Sequence, residues 1–131
     1  MTIALESAGP ATPYDGVGEL PDLLGLLSDP TRLRLLLLLA QGERNVSSLC
    51  AAVMLPQPTV SHHLALLRVQ GVASVRRDGK HRLYSLDDSR ATARDGMLHL
   101  SITGGATVRI SSPAGRISPA AAAAAAGSGI P

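Results

Sequence analysis

The sequence predicts a mainly helical fold with a small β component, of the α+β class. Three observations carry that expectation. Apolar residues recur at helical spacing in four segments between residues 19 and 69. Two later segments, residues 72–86 and 97–111, read instead as pairs of short strands around glycine-containing turns. Phe and Trp are absent from the 131 residues and Tyr occurs twice, so a core must be built from Leu, Val and Ala. Such a core suits small packed helices better than a sheet sandwich.

A chain of this length makes one domain of ordinary size. The net charge of +2 and pI of about 9.2 are only mildly basic, so global charge does not announce a polyanionic partner. One Cys excludes an intrachain disulfide framework and fits a reducing compartment. The N-terminus lacks the basic region and apolar run of a signal peptide. The Leu-rich residues 20–40 are interrupted by Ser28, Asp29, Pro30, Arg32 and Arg34, which argues against a membrane span. A cytoplasmic protein without membrane contact is expected.

Residues 1–18, rich in Gly, Pro and small side chains, read as a disordered arm. A first helix over residues 19–27 carries Leu20, Leu23, Leu24 and Leu27, with Pro21 tolerated in its first turn. Ser28-Asp29-Pro30 is a helix start, a capping side chain followed by Pro at N1. That second helix runs from Pro30 to about residue 41, where Gly42 ends it. Leu33 and the run of five Leu from residue 35 to 39 make it apolar on nearly every side, so it should be buried on several faces. A third helix over residues 46–54, capped by Asn45 or Ser47, puts Val46, Leu49, Cys50 and Val53 on one face. Leu55-Pro56 turns tightly into a fourth helix, opened by Pro58 or Thr59, in which Val60, Leu64 and Leu67 form one apolar stripe.

The opposite face of the fourth helix carries Thr59, Ser61, His62 and Arg68, all hydrogen-bond formers. Gly71 ends the helix and Val72 supplies the apolar contact that follows such an end. Asp78-Gly79 between two β-prone runs predicts a hairpin over residues 72–86. Its tip gathers Arg76, Arg77, Lys80, His81 and Arg82, with Asp78 the only acid. Two short helices joined by a brief turn, the second polar on its outer face, are the helix-turn-helix pattern, and the hairpin is its wing. A polar-faced helix suits base edges in a major groove, and a cationic hairpin suits phosphate.

The segments DPTRLRLLLLLAQGE, VSSLCAAVMLPQPTVSHHLALLRVQGV and RRDGKHRLYSL together resemble the ArsR/SmtB-type winged helix-turn-helix regulators. The resemblance covers roughly residues 20–86. It implies a homodimeric, sequence-specific transcriptional regulator of double-stranded operator DNA, usually a repressor released by a metal ion or another inducer. By position, Gln57, Thr59, Ser61, His62 and Arg68 match the recognition helix, and Arg76, Arg77, Lys80, His81 and Arg82 match the wing. Metal-sensing members often carry Cys-x-Cys in the third helix; here Cys50 stands at the first position and Ala52 replaces the second. One thiolate does not make a soft-metal site, so Cys50 reads as a small core residue, with a lone thiol sensor as the functional alternative. A second family site on a C-terminal helix is met only by Asp87, Asp88 and His99, with the remaining ligands missing. No cofactor or metal is expected. His62 and His63 are adjacent on a helix, diverge by about 100°, and cannot chelate one ion together.

The last third departs from the family, which expects a long dimerisation helix there. Residues 87–95 read as a short capped helix ended by Gly96. Leu98, Leu100 and Ile102, then Val108 and Ile110, alternate with polar residues and predict a second hairpin over residues 97–111. A three-residue loop over residues 104–106 would set Ile102 opposite Val108 and Leu100 opposite Ile110, on one apolar face. The domain therefore runs over residues 19–111, and residues 112–131, Pro, Gly, Ser and an Ala run, read as a disordered tail. The rival to a DNA-binding regulator is a winged-helix protein-interaction module without operator binding. Retention of Gln57, Thr59, Ser61 and the basic wing argues against that rival. No nucleophile with a neighbouring base, paired carboxylates or phosphate-cradling loop points to an enzyme.

Overall fold

A computed structural model describes residues 2–7, 19–102 and 106–111. Four helices come first: α1 (Leu20–Leu27), α2 (Pro30–Ala40), α3 (Val46–Val53) and α4 (Gln57–Val69). Each start has a local cause. The Asp29 carboxylate accepts the Arg32 N–H at 3.0 Å and caps α2, with Pro30 at N1. That backbone N–H, more than any neighbouring charge, holds the Asp29 carboxyl below the usual carboxylate range. The Asn45 side chain accepts the Ser48 N–H at 2.7 Å and caps α3. α4 opens at Gln57, earlier than Pro58 or Thr59, because Pro56 is already extended and its carbonyl takes the first helical bonds from Thr59 and Val60.

Helix α4 ends as expected. Gly71 has φ +74°, and the Val72 N–H returns to the Leu67 carbonyl at 3.1 Å, the six-to-one bond of a Schellman motif. Val72 is buried and leads into the wing. The wing sheet is three-stranded, β2–β4–β3, where β2 is Arg44–Asn45, β3 Ala73–Asp78 and β4 His81–Leu86. Strand β2, two residues long, has no local signal in the sequence, since its pairing with β4 is non-local. The hairpin turn lies one residue later than expected. Asp78 pairs with His81, so the loop is Gly79-Lys80, not Asp78-Gly79. Gly79 is positive in φ (+62°) and Lys80 is not, the pattern of a II′ turn with Gly first.

The C-terminal segment supplies three strands of a four-stranded antiparallel sheet in the order β1–β7–β6–β5. Three expectations change here. Thr2–Ser7, read as part of a disordered arm, is strand β1, paired along β7 from Thr2↔Ser111 to Ser7↔Ala106. Residues 8–18 and the tail, residues 112–131, lie outside the described residues. Residues 87–95 are not a helix. Asp87 accepts the Ser89 N–H and hydroxyl in a turn, and Ala91–Arg94 is strand β5. Asp95 and Gly96, at φ +54° and +72°, form a two-residue I′ turn into β6 (Met97–Ser101), so Gly96 turns a hairpin instead of stopping a helix. The hairpin of β6 with β7 (Ala106–Ser111) exists but is shifted by two residues: Leu98 faces Ile110 and Leu100 faces Val108. A two-residue shift leaves every side chain on its original face, so the alternating pattern could not choose between the registers.

Leu98, Leu100, Val108 and Ile110, all fully buried, join the same apolar cluster as Leu35 and Leu36 of α2, Leu49 of α3, and Val60, Leu64 and Leu67 of α4. Arg90 fastens the sheet to the helices from the rim. Its guanidinium donates to the Gln70 carbonyl at the end of α4 (2.9 Å), to Glu19 before α1 (3.0 Å) and, longer, to the Ser101 carbonyl of β6 (3.4 Å). Leu100→Ala is therefore expected to lower the unfolding free energy by about 2–5 kcal/mol, as for other fully buried Leu side chains. Urea unfolding that shows no loss would detach the C-terminal sheet from the core.

Candidate nucleic-acid interface

The three buried side chains of α4 fix which residues it turns outward. With Val60, Leu64 and Leu67 facing the core, Gln57, Pro58, His62, Ala65, Arg68 and Val69 are exposed. Thr59 and Ser61 are half-buried at the edges of that face. The five polar residues predicted for the helix thus lie along its exposed side and margins. His63 turns the other way. It is half-buried, near enough to Asp29 to act on its carboxylate, and its Nδ1 has no hydrogen-bond partner. No side chain caps α4; the Pro56 carbonyl takes the Thr59 and Val60 N–H groups, and Pro58 has no N–H to offer. The preceding turn is sharp because Met54 takes the left-handed conformation (φ 59°, ψ 44°).

The wing has two unlike faces. Register places Val75 opposite Tyr84 and Arg77 opposite Arg82 on one face, which begins in the core and ends in two cations. The other face carries Ser74, Arg76, Leu83 and Ser85, and the Ser74 and Ser85 hydroxyls lie 3.1 Å apart. Arg77, Lys80, His81 and Arg82 are all exposed at the tip. Arg76 is exposed as well, but it is engaged by an acid. Its Nε and Nη2 donate to the two carboxylate oxygens of Glu43 at 2.9 and 2.8 Å. That contact raises the guanidinium pKa further, first through the hydrogen bonds and then through charge. Asp78 is therefore not the only acid at the wing. Glu43 arrives from a connection 33 residues away, and no local pattern signals it.

Between α4 and β3 runs a groove of about 490 Å³, lined by Ala65, Arg68, Val69, Ala73, Ser74 and Val75. It joins the helix face to the wing, so the two surfaces are neighbours.

Cys50 is half-buried against the core and unpaired. Among the described residues, no group of three or more His, Cys, Asp or Glu side chains could hold a metal ion. Asp87 is engaged with Ser89, and His99 is buried in β6. No described helix is long and apolar enough to cross a membrane.

Four helices, a three-stranded wing and an outward polar helix beside exposed cations define a winged helix-turn-helix protein. The chain belongs to the arsR family of bacterial regulatory proteins, whose sequence model matches residues 29–75. It is 39% identical over 75 residues to a transcriptional repressor SmtB homolog from Synechocystis, covering 57% of each chain. It is 37% identical over 78 residues to an uncharacterized HTH-type transcriptional regulator, MJ1325, of Methanocaldococcus jannaschii, covering 59% of this chain and 84% of that one. Among solved structures it resembles the homodimeric winged helix-turn-helix DNA-binding domain Mb0332 of Mycobacterium bovis, a possible ArsR-family regulator. The TM-score is 0.51 at 30% identity, over 61% of this chain and 75% of that one. The chain spans little more than half the length of several curated relatives it matches, 57% and 53% for two of the SmtB-type repressors.

The opposed cations make a stability prediction. Like charges directly across an antiparallel pair are unfavourable, by about 0.2–1 kcal/mol. Arg82→Thr is therefore expected to stabilise the free protein by that amount at low salt. The gain should shrink as added salt screens the Arg77–Arg82 repulsion. Urea melts at two ionic strengths read both effects, and a loss of stability in the variant would mean that these side chains do not oppose each other.

Proposed function

We propose that this chain is a sequence-specific DNA-binding transcriptional regulator that acts as a homodimer, in the ordinary case a repressor released by an effector. The observation that carries the reading is the adjacency of two surfaces. α4 offers Gln57, Thr59, Ser61, His62 and Arg68 on one side, and the wing offers Arg77, Lys80, His81 and Arg82 next to it. A helix of this size enters a major groove, where side-chain amides, hydroxyls and imidazoles discriminate base edges. Cations on a hairpin neutralise phosphates whatever the sequence. Relatives named as repressors, and a structural neighbour described as a homodimeric DNA-binding domain, support it.

The same reading puts the protein in the cytoplasm, without a membrane partner and without enzymatic activity. It also gives the chain no resident metal. Cys50 serves the α3 packing face, since its would-be second thiolate is Ala52.

Selection from random duplex, followed by footprinting, is expected to return an inverted repeat with half-sites about one helical turn or a multiple apart. On that duplex, Gln57→Ala and Ser61→Ala should each cost about 1–3 kcal/mol of discrimination against random DNA. Arg77→Ala and Lys80→Ala should weaken both duplexes alike and reduce the salt slope by about 0.9 for each lost phosphate contact. Protection of a single unpaired half-site would overturn the dimeric reading. Wing variants that change sequence preference while helix variants do not would reverse the roles assigned to the two surfaces.

A further inference from the structure

We propose that Glu43 withholds Arg76 from DNA and so limits the sequence-independent part of the protein's DNA affinity. The inference rests on the DNA-binding reading above and names a control on the same interface.

Four Lys or Arg residues lie in the β3–β4 hairpin: Arg76, Arg77, Lys80 and Arg82. Register separates them. Arg77 and Arg82 share the face that runs outward from the core, whereas Arg76 lies on the reverse face beside Leu83, Asn45 and Ser74. Glu43 precedes β2 by one residue and has the same parity as Asn45, so it rises from that reverse face too. To meet Arg76 it reaches diagonally over β4, because the sheet order is β2–β4–β3. The contact is bidentate, at 2.8 and 2.9 Å, and it is exposed: the side chains of Arg76 and Glu43 are 59% and 33% accessible.

Exposure decides what the pair is for. An accessible ion pair contributes little to folding, so stability is a weak reason for an acid among the wing's cations. Its effect on a polyanion is larger. A carboxylate fills the guanidinium fork with the same two-oxygen geometry that a phosphate offers. While Glu43 holds that fork, Arg76 is neutralised and occupied, and the wing engages DNA through Arg77, Lys80 and Arg82. Sequence-independent affinity is set by the number of phosphates neutralised, so Glu43 removes one contact per protomer from that count. The base-reading face of α4 is untouched, since Glu43 and Arg76 lie on the wing.

The test measures binding of the full chain to a random-sequence duplex across a salt series. Glu43→Gln should steepen the slope of log affinity against log salt by about 0.9 per protomer. Affinity should then fall about a further three- to fourfold per protomer between about 50 and 200 mM salt, by the same relation. Arg76→Ala alone should leave the wild-type slope unchanged, and the double variant Glu43→Gln with Arg76→Ala should return to it. A steeper slope in Glu43→Gln that persists in the double variant would show Glu43 acting by its own repulsion, and would overturn the inference. So would a flatter slope in Arg76→Ala, which would place Arg76 on phosphate already. An unchanged slope in Glu43→Gln, with the wild type binding, sinks the inference alone. A wild-type chain that binds no duplex at any salt sinks the DNA-binding reading and this inference with it.

Discussion

Everything at the interface depends on the burial of one stripe, Val60, Leu64 and Leu67, each without accessible surface. Full burial of such side chains is worth about 1.5–3 kcal/mol apiece. The stripe is narrow, so a rotation of α4 by one residue, about 100°, would expose it and drive His62 or Ser61 into the core. The helix therefore has one acceptable orientation, and that orientation turns Gln57, His62 and Arg68 outward. The same packing sets where the wing begins. Leu67 receives the Val72 N–H, Val72 is buried, and β3 leaves the helix from that point. The outward faces of α4 and the wing are thus consequences of core packing, with no dedicated scaffold of their own.

The helical half of the fold was legible in the sequence because its signals are local. Asp29-Pro30, Asn45, Gly71 and the helical apolar spacing lie within one or two turns of what they determine. The β half was legible only in part. Strand β1 pairs with β7, about 100 residues further along the chain, and its own sequence offers only the brief alternation of Ile3 and Leu5. Strand β5, Ala91–Arg94, has little β propensity of its own. Its turn, Asp95-Gly96, is the same dipeptide that announced the wing, and a helix stop was an equally good local reading of it. The register of β6 on β7 was beyond reach for a different reason, since alternation is blind to shifts of two residues. The outward faces of α4 and the wing follow from residue type and spacing, but the Glu43–Arg76 pair joins two distant segments across a strand and leaves no local trace.

The four-stranded sheet lies outside the family match, which covers residues 29–75: β1 precedes it and β5, β6 and β7 follow it. Its attachment to the winged-helix unit is of two kinds. Leu98, Leu100, Val108 and Ile110 supply apolar area to the common core. Arg90 supplies direction: by donating to Gln70 and Glu19 at once, it fixes the sheet's entry against the end of α4 and the start of α1. Gly71 belongs to the same joint. A Cβ there would meet the Arg90 side chain at 3.2 Å, and its φ of +74° already disfavours any other residue.

The aromatic poverty of the chain has an optical consequence. Without Trp, near-ultraviolet absorption and emission come from Tyr14 and Tyr84 alone. Tyr84 sits in β4 opposite Val75 and is 4% exposed, at the place where the wing meets the core. Its ring is held in an asymmetric, water-free setting only while the wing is docked. Tyrosine circular dichroism and emission in a Tyr14→Leu background would therefore follow one event, the seating of the wing, without any attached label.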